Sequence, residues 1–383
     1  MAEAWVRAFI EDNGSRLVAI NTENPPGRER EAASFFAEKA AEHGLKSRLV
    51  SHGGDRASAL VEVEWGEGPT VVFNSHLDTV PAGPVERWPF HPFRTGVKNG
   101  YLCGRGSADA KGCLTSMLAA VAMLGKREGL SGRVVLMAVA DEEVEGLGSL
   151  SLAKELDRMD YVVVGEPTSL KVCVASRGRV EISVEFLGKP AHSSTPKKGV
   201  NAVTAAAKAV VKLASLEKGF GRRDAFMGRS SAAVTMLQGG LKSNVIPDRA
   251  RFTVDYRTVG ETPEQALKTI SSYVKKAVTS KTPFKATITY AAPSFKTDAN
   301  SKIVKACRKA LWEAGVKPVL TGLKALTDLN RVAKQRPVEG VVLGPGDLSL
   351  AHTFSEKVAV SELVKAAEVY RRLAENLLSH PTP

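Results

Sequence analysis

Short apolar runs at residues 70–73, 133–140, 161–164 and 340–343 constrain the fold of this chain most. They show almost no polar–apolar alternation, so the strands they form are expected to be buried on both faces, as in a sheet covered by helices. A further strand-like run lies at 59–64, a helical stretch at 31–43 precedes the runs, and another at 111–124 falls between them. In the second stretch Leu114, Met117, Leu118, Val121 and Leu124 share one face. The expected core is an α/β domain.

From about Arg177 the texture changes. Val180, Ile182, Val184 and Phe186 alternate with mostly polar residues, the pattern of a half-solvated strand. A helix at 201–216, strands at 232–237 and 250–256, a helix at 263–278 and a strand at 284–290 follow. This β-α-β-β-α-β order is that of a ferredoxin-like unit. The α/β texture resumes near Ala299. The expected division is a discontinuous domain, 1–176 with 292–383, interrupted by an inserted domain at 177–291.

Composition excludes several classes. With 43% hydrophobic and 25% charged residues, the 383-residue chain reads as an ordinary globular protein. No apolar stretch approaches the roughly 20 residues that span a bilayer. The first 13 residues carry Glu3, Glu11 and Asp12 and no signal-peptide core, so a cytoplasmic protein with no membrane partner is expected. Cys103, Cys113, Cys173 and Cys307 form no Cys-x-x-Cys pair, which argues against a thiolate zinc site or a disulfide framework. The net charge of +12 is spread over scattered basic pairs, without a basic stripe interleaved with aromatics. It is read as solvated surface charge, with attraction of anionic substrates as the second reading, and no nucleic-acid partner is expected.

The chemistry sits at strand ends. His76-Leu77-Asp78 lies just beyond the run 70–73, with two side chains on the same side of the backbone, where open α/β sheets bind ligands. Asp109 stands in the glycine-rich loop Gly104-Arg105-Gly106-Ser107-Ala108-Asp109-Ala110-Lys111-Gly112, which opens a helix. Asp141-Glu142-Glu143 follows the run 133–140, and Gly165-Glu166-Pro167-Thr168 follows 161–164. His352 comes shortly after 340–343 and the turn Gly344-Pro345-Gly346. Singly, Asp109 reads as a helix N-cap, Glu142 and Glu143 as loop charges, and Glu166 as turn chemistry. His43, His52, His91 and His380 are left as packed or surface residues. Several carboxylates in one crevice, however, repel one another and need protons or cations. Two imidazoles and three carboxylates suit a pair of zinc-like ions, and a two-ion site calls for a shared carboxylate.

These five segments resemble the co-catalytic zinc amidohydrolase family that includes acetylornithine deacetylase, succinyl-diaminopimelate desuccinylase, aminoacylase and the glutamate carboxypeptidases. The resemblance spans nearly the whole chain. It implies a zinc-aminopeptidase-like three-layer α/β catalytic domain with an inserted ferredoxin-like dimerisation (lid) domain, and a homodimer. It implies two divalent ions, zinc first with cobalt or manganese as alternatives. Asp109 bridges them in this reading, with His76 and Glu166 on one ion and Glu143 and His352 on the other. Asp78 orients the His76 imidazole, and Glu142 is the general base. In Ala191-His192-Ser193-Ser194, His192 matches a lid histidine that stabilises the oxyanion in the partner's active site. Asn244 and Arg257 match substrate-binding positions, and Gly344 and Gly346 add backbone donors. Thr327-Asp328-Leu329-Asn330 departs from the family pattern, which has a small residue and an arginine after the aspartate.

The function implied is hydrolysis of the amide bond of an N-acylated amino acid. A metallo-exopeptidase acting on dipeptides or C-terminal residues is the alternative within the same chemistry. A non-catalytic binding protein on the same fold is disfavoured, because Glu142 and all five candidate ligands are present.

Overall fold

The computed structural model describes residues 2–94, 96–279 and 282–379; His380 lies outside the described residues. The chain forms two units, one of Met1–Val174, Thr297–Thr321 and Thr327–Pro383, the other of Ala175–Lys296 and Gly322–Leu326. The short return segment Gly322–Leu326 differs from the division read in the sequence. It goes with the inserted unit, where the Leu323 carbonyl accepts the Arg177 N–H at 3.2 Å.

In the first unit the sheet runs Lys46–Gly53, Arg56–Glu64, Arg133–Val139, Thr70–His76, Tyr161–Val164, Glu339–Val342, Val172–Ser176 in spatial order. The middle strands Arg133–Val139, Thr70–His76, Tyr161–Val164 and Glu339–Val342 are mutually parallel. Every residue of Thr70–His76 is buried, which is why that run carries no alternation. Successive side chains reach opposite layers. Phe73 packs against Tyr370 of the helix Val360–Leu378, ring centroids 5.5 Å apart, while Asn74 Nδ2 donates to Ser149 Oγ of the helix Leu147–Glu155 at 2.6 Å. The helix Gly112–Leu124 is almost wholly buried, consistent with a position between sheet and neighbouring helices.

The inserted unit has the sheet order Phe220–Asp224, Gly228–Gly239, Arg249–Thr258, Gly178–Leu187, Phe284–Ala292. Its last four strands, in antiparallel register, form the ferredoxin-like arrangement. Val180, Ile182, Val184 and Phe186 point from one face into a core shared with the helices Ala202–Leu213 and Pro263–Ala277. Both helices start on side-chain caps. Asn201 accepts the Thr204 N–H, and Thr262 with Gln265 closes a capping box. Phe220–Asp224 is a strand the sequence does not announce, since Phe-Gly-Arg-Arg-Asp lacks apolar alternation.

Tight packing of helix against sheet sets the loop that carries Glu166. A Cβ on Gly165 would meet Cys113 Sγ and, at 2.7 Å, Met117 Cε. Gly165→Ala is expected to cost about 1–3 kcal/mol by overpacking. Cys113→Ala in the same chain should recover part of that loss, read as the midpoint of urea unfolding.

Candidate active site

The parallel register delivers the site. His76 lies opposite Val139 and Asn74 opposite Val164, so the segments following these strands emerge along one sheet edge. His76 Nε2 stands 3.1 Å from Asp109 Oδ1, and His352 Nε2 stands 3.2 Å from Asp109 Oδ2. One carboxylate thus offers an oxygen to each imidazole. Glu143 Oε1 lies 3.0 Å from His352 Nε2, and Glu166 is buried beside the group. The His76 side chain is 1% exposed and that of His352 50%, so the site opens to solvent on the His352 flank.

Local backbone explains how Asp109 is presented. Gly106 takes φ +83, and Asp109 itself (φ −124, ψ 88) is non-helical ahead of the helix that starts at Gly112. The Asp109–Ala110 peptide is cis. On the neighbouring strand end Asp141 adopts φ +71, a conformation uncommon outside glycine. Its Oδ1 is held by Asn24 Nδ2 at 3.0 Å and Arg56 Nη1 at 2.9 Å, while Arg56 also pairs with buried Glu29 at 2.9 Å. Asn24 donates a second time, to Asp78 Oδ2 at 2.9 Å. The Asp78 carboxylate in turn accepts the backbone N–H groups of Glu142 (3.0 Å) and Glu143 (3.1 Å). His76 Nδ1 lies 2.9 Å from the Asp78 carbonyl oxygen and 3.7 Å from its Oδ1. Asp78 therefore orients the acidic pair through its side chain and meets the imidazole mainly through its backbone.

Glu142 has a partner that the sequence did not reveal. Arg331 Nη1 lies 2.9 Å from Glu142 Oε1 and 2.7 Å from Asp328 Oδ1, and Asp328 Oδ2 accepts Ser149 Oγ–H at 2.6 Å. Where the family has an arginine one position earlier, this chain carries Asn330, and the helix Asp328–Gln335 turns Arg331 toward the acidic pair instead. An i,i+3 Asp–Arg pair behind a Thr–Asn capping box is the signal that marks it.

The electrostatics are those of crowded, desolvated charge. Burial and then the Asp109 charge raise the Glu166 carboxyl well above the usual carboxylate range. Burial pushes Glu142 up to about 8, against the pull of Arg331, and raises Asp78 to about 6. Hydrogen bonds to Asp109 and Glu143 raise His352 to about 10. Burial disfavours charge on His76, yet Asp109 and Glu166 raise it well above its ordinary value. Burial opposes ionisation of Asp109 as well, and the two imidazoles outweigh it and hold the group low. Such a set favours added positive charge. Among the described residues, His76, Asp109 and Glu143 offer ligand atoms all within 4.8 Å of one another. Imidazole nitrogen with carboxylate oxygen is a donor set that fits zinc-like divalent ions.

The remaining residues singled out in the sequence fall elsewhere. His192, Asn244 and Arg257 belong to the inserted unit. His192 is exposed, and its Nδ1 accepts the Ser194 N–H at 3.1 Å, which leaves a neutral ring's proton on Nε2. The Asn244 carbonyl accepts the Ser193 N–H at 3.0 Å, tying that loop to the His192 turn. Arg257 pairs with Asp255 through two nitrogens, at 2.6 and 3.2 Å. In the first unit, Gly344 N–H goes to Thr168 Oγ1 at 3.0 Å and Gly346 N–H to Glu362 Oε1 at 3.1 Å. These glycines hold the Glu166 loop with donors engaged inside the protein. All four cysteines are free and buried. No helix among the described residues is long and apolar enough to cross a membrane.

A parallel-sheet edge bearing a carboxylate shared by two imidazoles, with further acids beside it, is the architecture of a metallohydrolase centre. The model of peptidase family M20/M25/M40 matches residues 72–248 and 224–376, and the chain belongs to that family. It is thereby a metal-dependent amidohydrolase. A protein of Aeropyrum pernix provisionally named LysW-lysine/LysW-ornithine hydrolase is 31% identical over 369 residues, 95% of this chain and 96% of its own. An acetylornithine deacetylase of Myxococcus xanthus is 30% identical over 355 residues, 89% of this chain and 88% of its own. The fold is shared with a dinuclear metal-binding M20 peptidase of Bacillus subtilis, with a TM-score of 0.77 at 16% identity over 98% of this chain and 99% of that one.

Removing Arg331 leaves two largely buried carboxylates facing each other without their cation. Arg331→Met is expected to destabilise the protein by about 3–5 kcal/mol. Asp328→Asn in the same chain should recover part of it, and chemical denaturation of the variants measures both.

Proposed function

We propose that this protein hydrolyses the amide bond of an N-acylated amino acid at a pair of divalent ions, most readily zinc. The observation that supports this reading is the Asp109 carboxylate lying between His76 Nε2 (3.1 Å) and His352 Nε2 (3.2 Å), with Glu142 and Glu143 on the adjoining strand end. In this reading Asp109 would be the ligand common to both ions, with His76 and Glu166 holding one and Glu143 and His352 the other. When bound, the ions supply Lewis acidity toward the scissile carbonyl and lower the pKa of water.

The protein's own groups do the rest. Glu142 takes a proton from the attacking water and returns it to the departing amine nitrogen. Asp78 and Asn24 fix the backbone from which Glu142 and Glu143 project. His192, with its proton on Nε2, is suited to donate to the developing oxyanion, reaching the site of a partner subunit in a homodimer. Asn244 and Arg257 bind the substrate, Arg257 by donating to the substrate's carboxylate. Two relatives carry names built on ornithine, which favours deacylation of a basic amino acid. Names of structural neighbours keep peptides in the screen.

Glu142→Ala should lower kcat by about 10²-fold or more while bound metal is retained, whereas His76→Ala and Asp109→Ala should lose metal too. A Glu142→Ala enzyme within about tenfold of the wild type would rule out the general-base role. Hydrolysis of N-acetylornithine, N-succinyl-diaminopimelate, other acylated amino acids and dipeptides by the zinc- or cobalt-loaded protein then identifies the substrate. Mixing inactive His192→Ala and Glu142→Ala chains should restore activity if the histidine acts across subunits. No recovery in a mixed dimer argues against that arrangement.

A further inference from the structure

Glu356 and Arg105 form a buried ion pair behind the loop that carries Asp109. The Glu356 side chain is 0% exposed and that of Arg105 3%, and Arg105 Nη1 lies 2.5 Å from Glu356 Oε2. The other carboxylate oxygen, Oε1, accepts two consecutive backbone N–H groups, those of Ala108 and Asp109, each at 3.1 Å. These donors belong to the non-helical entry to Gly112–Leu124, where buried N–H groups must be served by some acceptor. Here a carboxylate from 247 residues farther along the chain does so.

The pairing is set by strand register. Lys357–Ala359 runs antiparallel to Tyr101–Cys103 with Lys357 opposite Cys103, and the Gly104 N–H donates to the Glu356 carbonyl at 3.2 Å. Glu356 is thereby fixed beside the loop that presents Asp109. Arg105 reaches further, donating from Nη1 to the Thr353 carbonyl (3.3 Å) and from Nη2 to the Pro81 carbonyl (3.4 Å), with its guanidinium 5.0 Å above the Trp88 ring. Thr353 directly follows His352, and Pro81 ends the segment that begins at His76.

We propose that Glu356 and Arg105 are positioning residues for the metal centre, a clasp that fixes the Asp109 carboxylate and the two histidine segments in ligand geometry. The proposal rests on the reading of His76, Asp109 and His352 as metal ligands. A desolvated carboxylate on two backbone N–H groups is a rigid support, and a forked guanidinium can hold a carboxylate and carbonyls at once. Without the clasp, Asp109 no longer presents one oxygen to each imidazole before an ion arrives, so binding must bear the ordering cost.

The test is equilibrium titration of the metal-free full-length protein with zinc against a chromophoric chelator, with thermal midpoints of the metal-free proteins measured in parallel. Glu356→Ala and Arg105→Ala should each weaken zinc binding by about 10–100-fold, as removal of a ligand's support does. Glu356→Gln keeps an acceptor for the Ala108 and Asp109 N–H groups and should lose no more than about tenfold. Wild-type zinc affinity in Glu356→Ala, with only a lower thermal midpoint, overturns the clasp and leaves the metal reading intact. A wild-type protein that binds no zinc overturns both. If the alanine variants do not fold, Arg105→Lys decides, because it keeps the charge and loses the fork: about tenfold weaker binding supports the clasp, and unchanged affinity refutes it.

Discussion

Everything at this site depends on four parallel strands held in one register. Because Arg133–Val139, Thr70–His76, Tyr161–Val164 and Glu339–Val342 run the same way, their C-terminal ends share an edge. That edge is where the backbone leaves the sheet and polar side chains become compatible with neighbouring apolar strands. A one-residue slip in any strand would exchange its side chains between the two layers that cover the sheet. The buried Val, Phe and Ala residues of the sheet therefore fix the chemistry as firmly as the ligands do.

The second constraint is charge kept away from water. The described residues place Asp78, Asp109, Glu166, Asp328 and Glu356 in buried positions around a small volume, and each is held by a named donor or lies against a neighbouring charge. Asp78 is held by backbone N–H groups and Asn24, Asp328 by Arg331 and Ser149, and Glu356 by Arg105 and the Ala108 and Asp109 N–H groups. Asp109 has the two imidazoles as its principal counter-charges and Glu166 has His76, and the proposed function gives the remaining positive charge to ions. The protein thus distinguishes carboxylates supplied with internal donors from those that the proposed function assigns to ions.

Much of this was legible in the sequence because the strands are buried on both faces. An apolar run followed closely by His76, Asp141-Glu142-Glu143 or Glu166 shows what the strand end presents, although the strand read as 70–73 extends through Asn74 and Ser75 to His76. The ferredoxin-like unit was equally visible in the alternation of Val180, Ile182, Val184 and Phe186. Solvated edges were harder: Lys46–Gly53 has no fully buried residue, so no hydrophobic signal marks it. Long-range partnerships were not legible at all. Arg331 with Glu142, Arg56 with Asp141, and Arg105 with Glu356 join residues 189, 85 and 251 positions apart, and nothing local to either member names the other. What the sequence shows well is which residues need a partner; which partner they receive is decided by the fold.

The strand Glu339–Val342 lies between Tyr161–Val164 and Val172–Ser176, so the catalytic sheet has a gap until the C-terminal part of the chain arrives. During synthesis the inserted unit has most of its residues by Lys296, whereas His352, Glu356 and the helix Val360–Leu378 are still to come. An emerging chain therefore carries His76, Asp109 and Glu143 long before His352 and Glu356. On the proposed ligand reading, metal capture in a defined geometry waits for the chain to be completed.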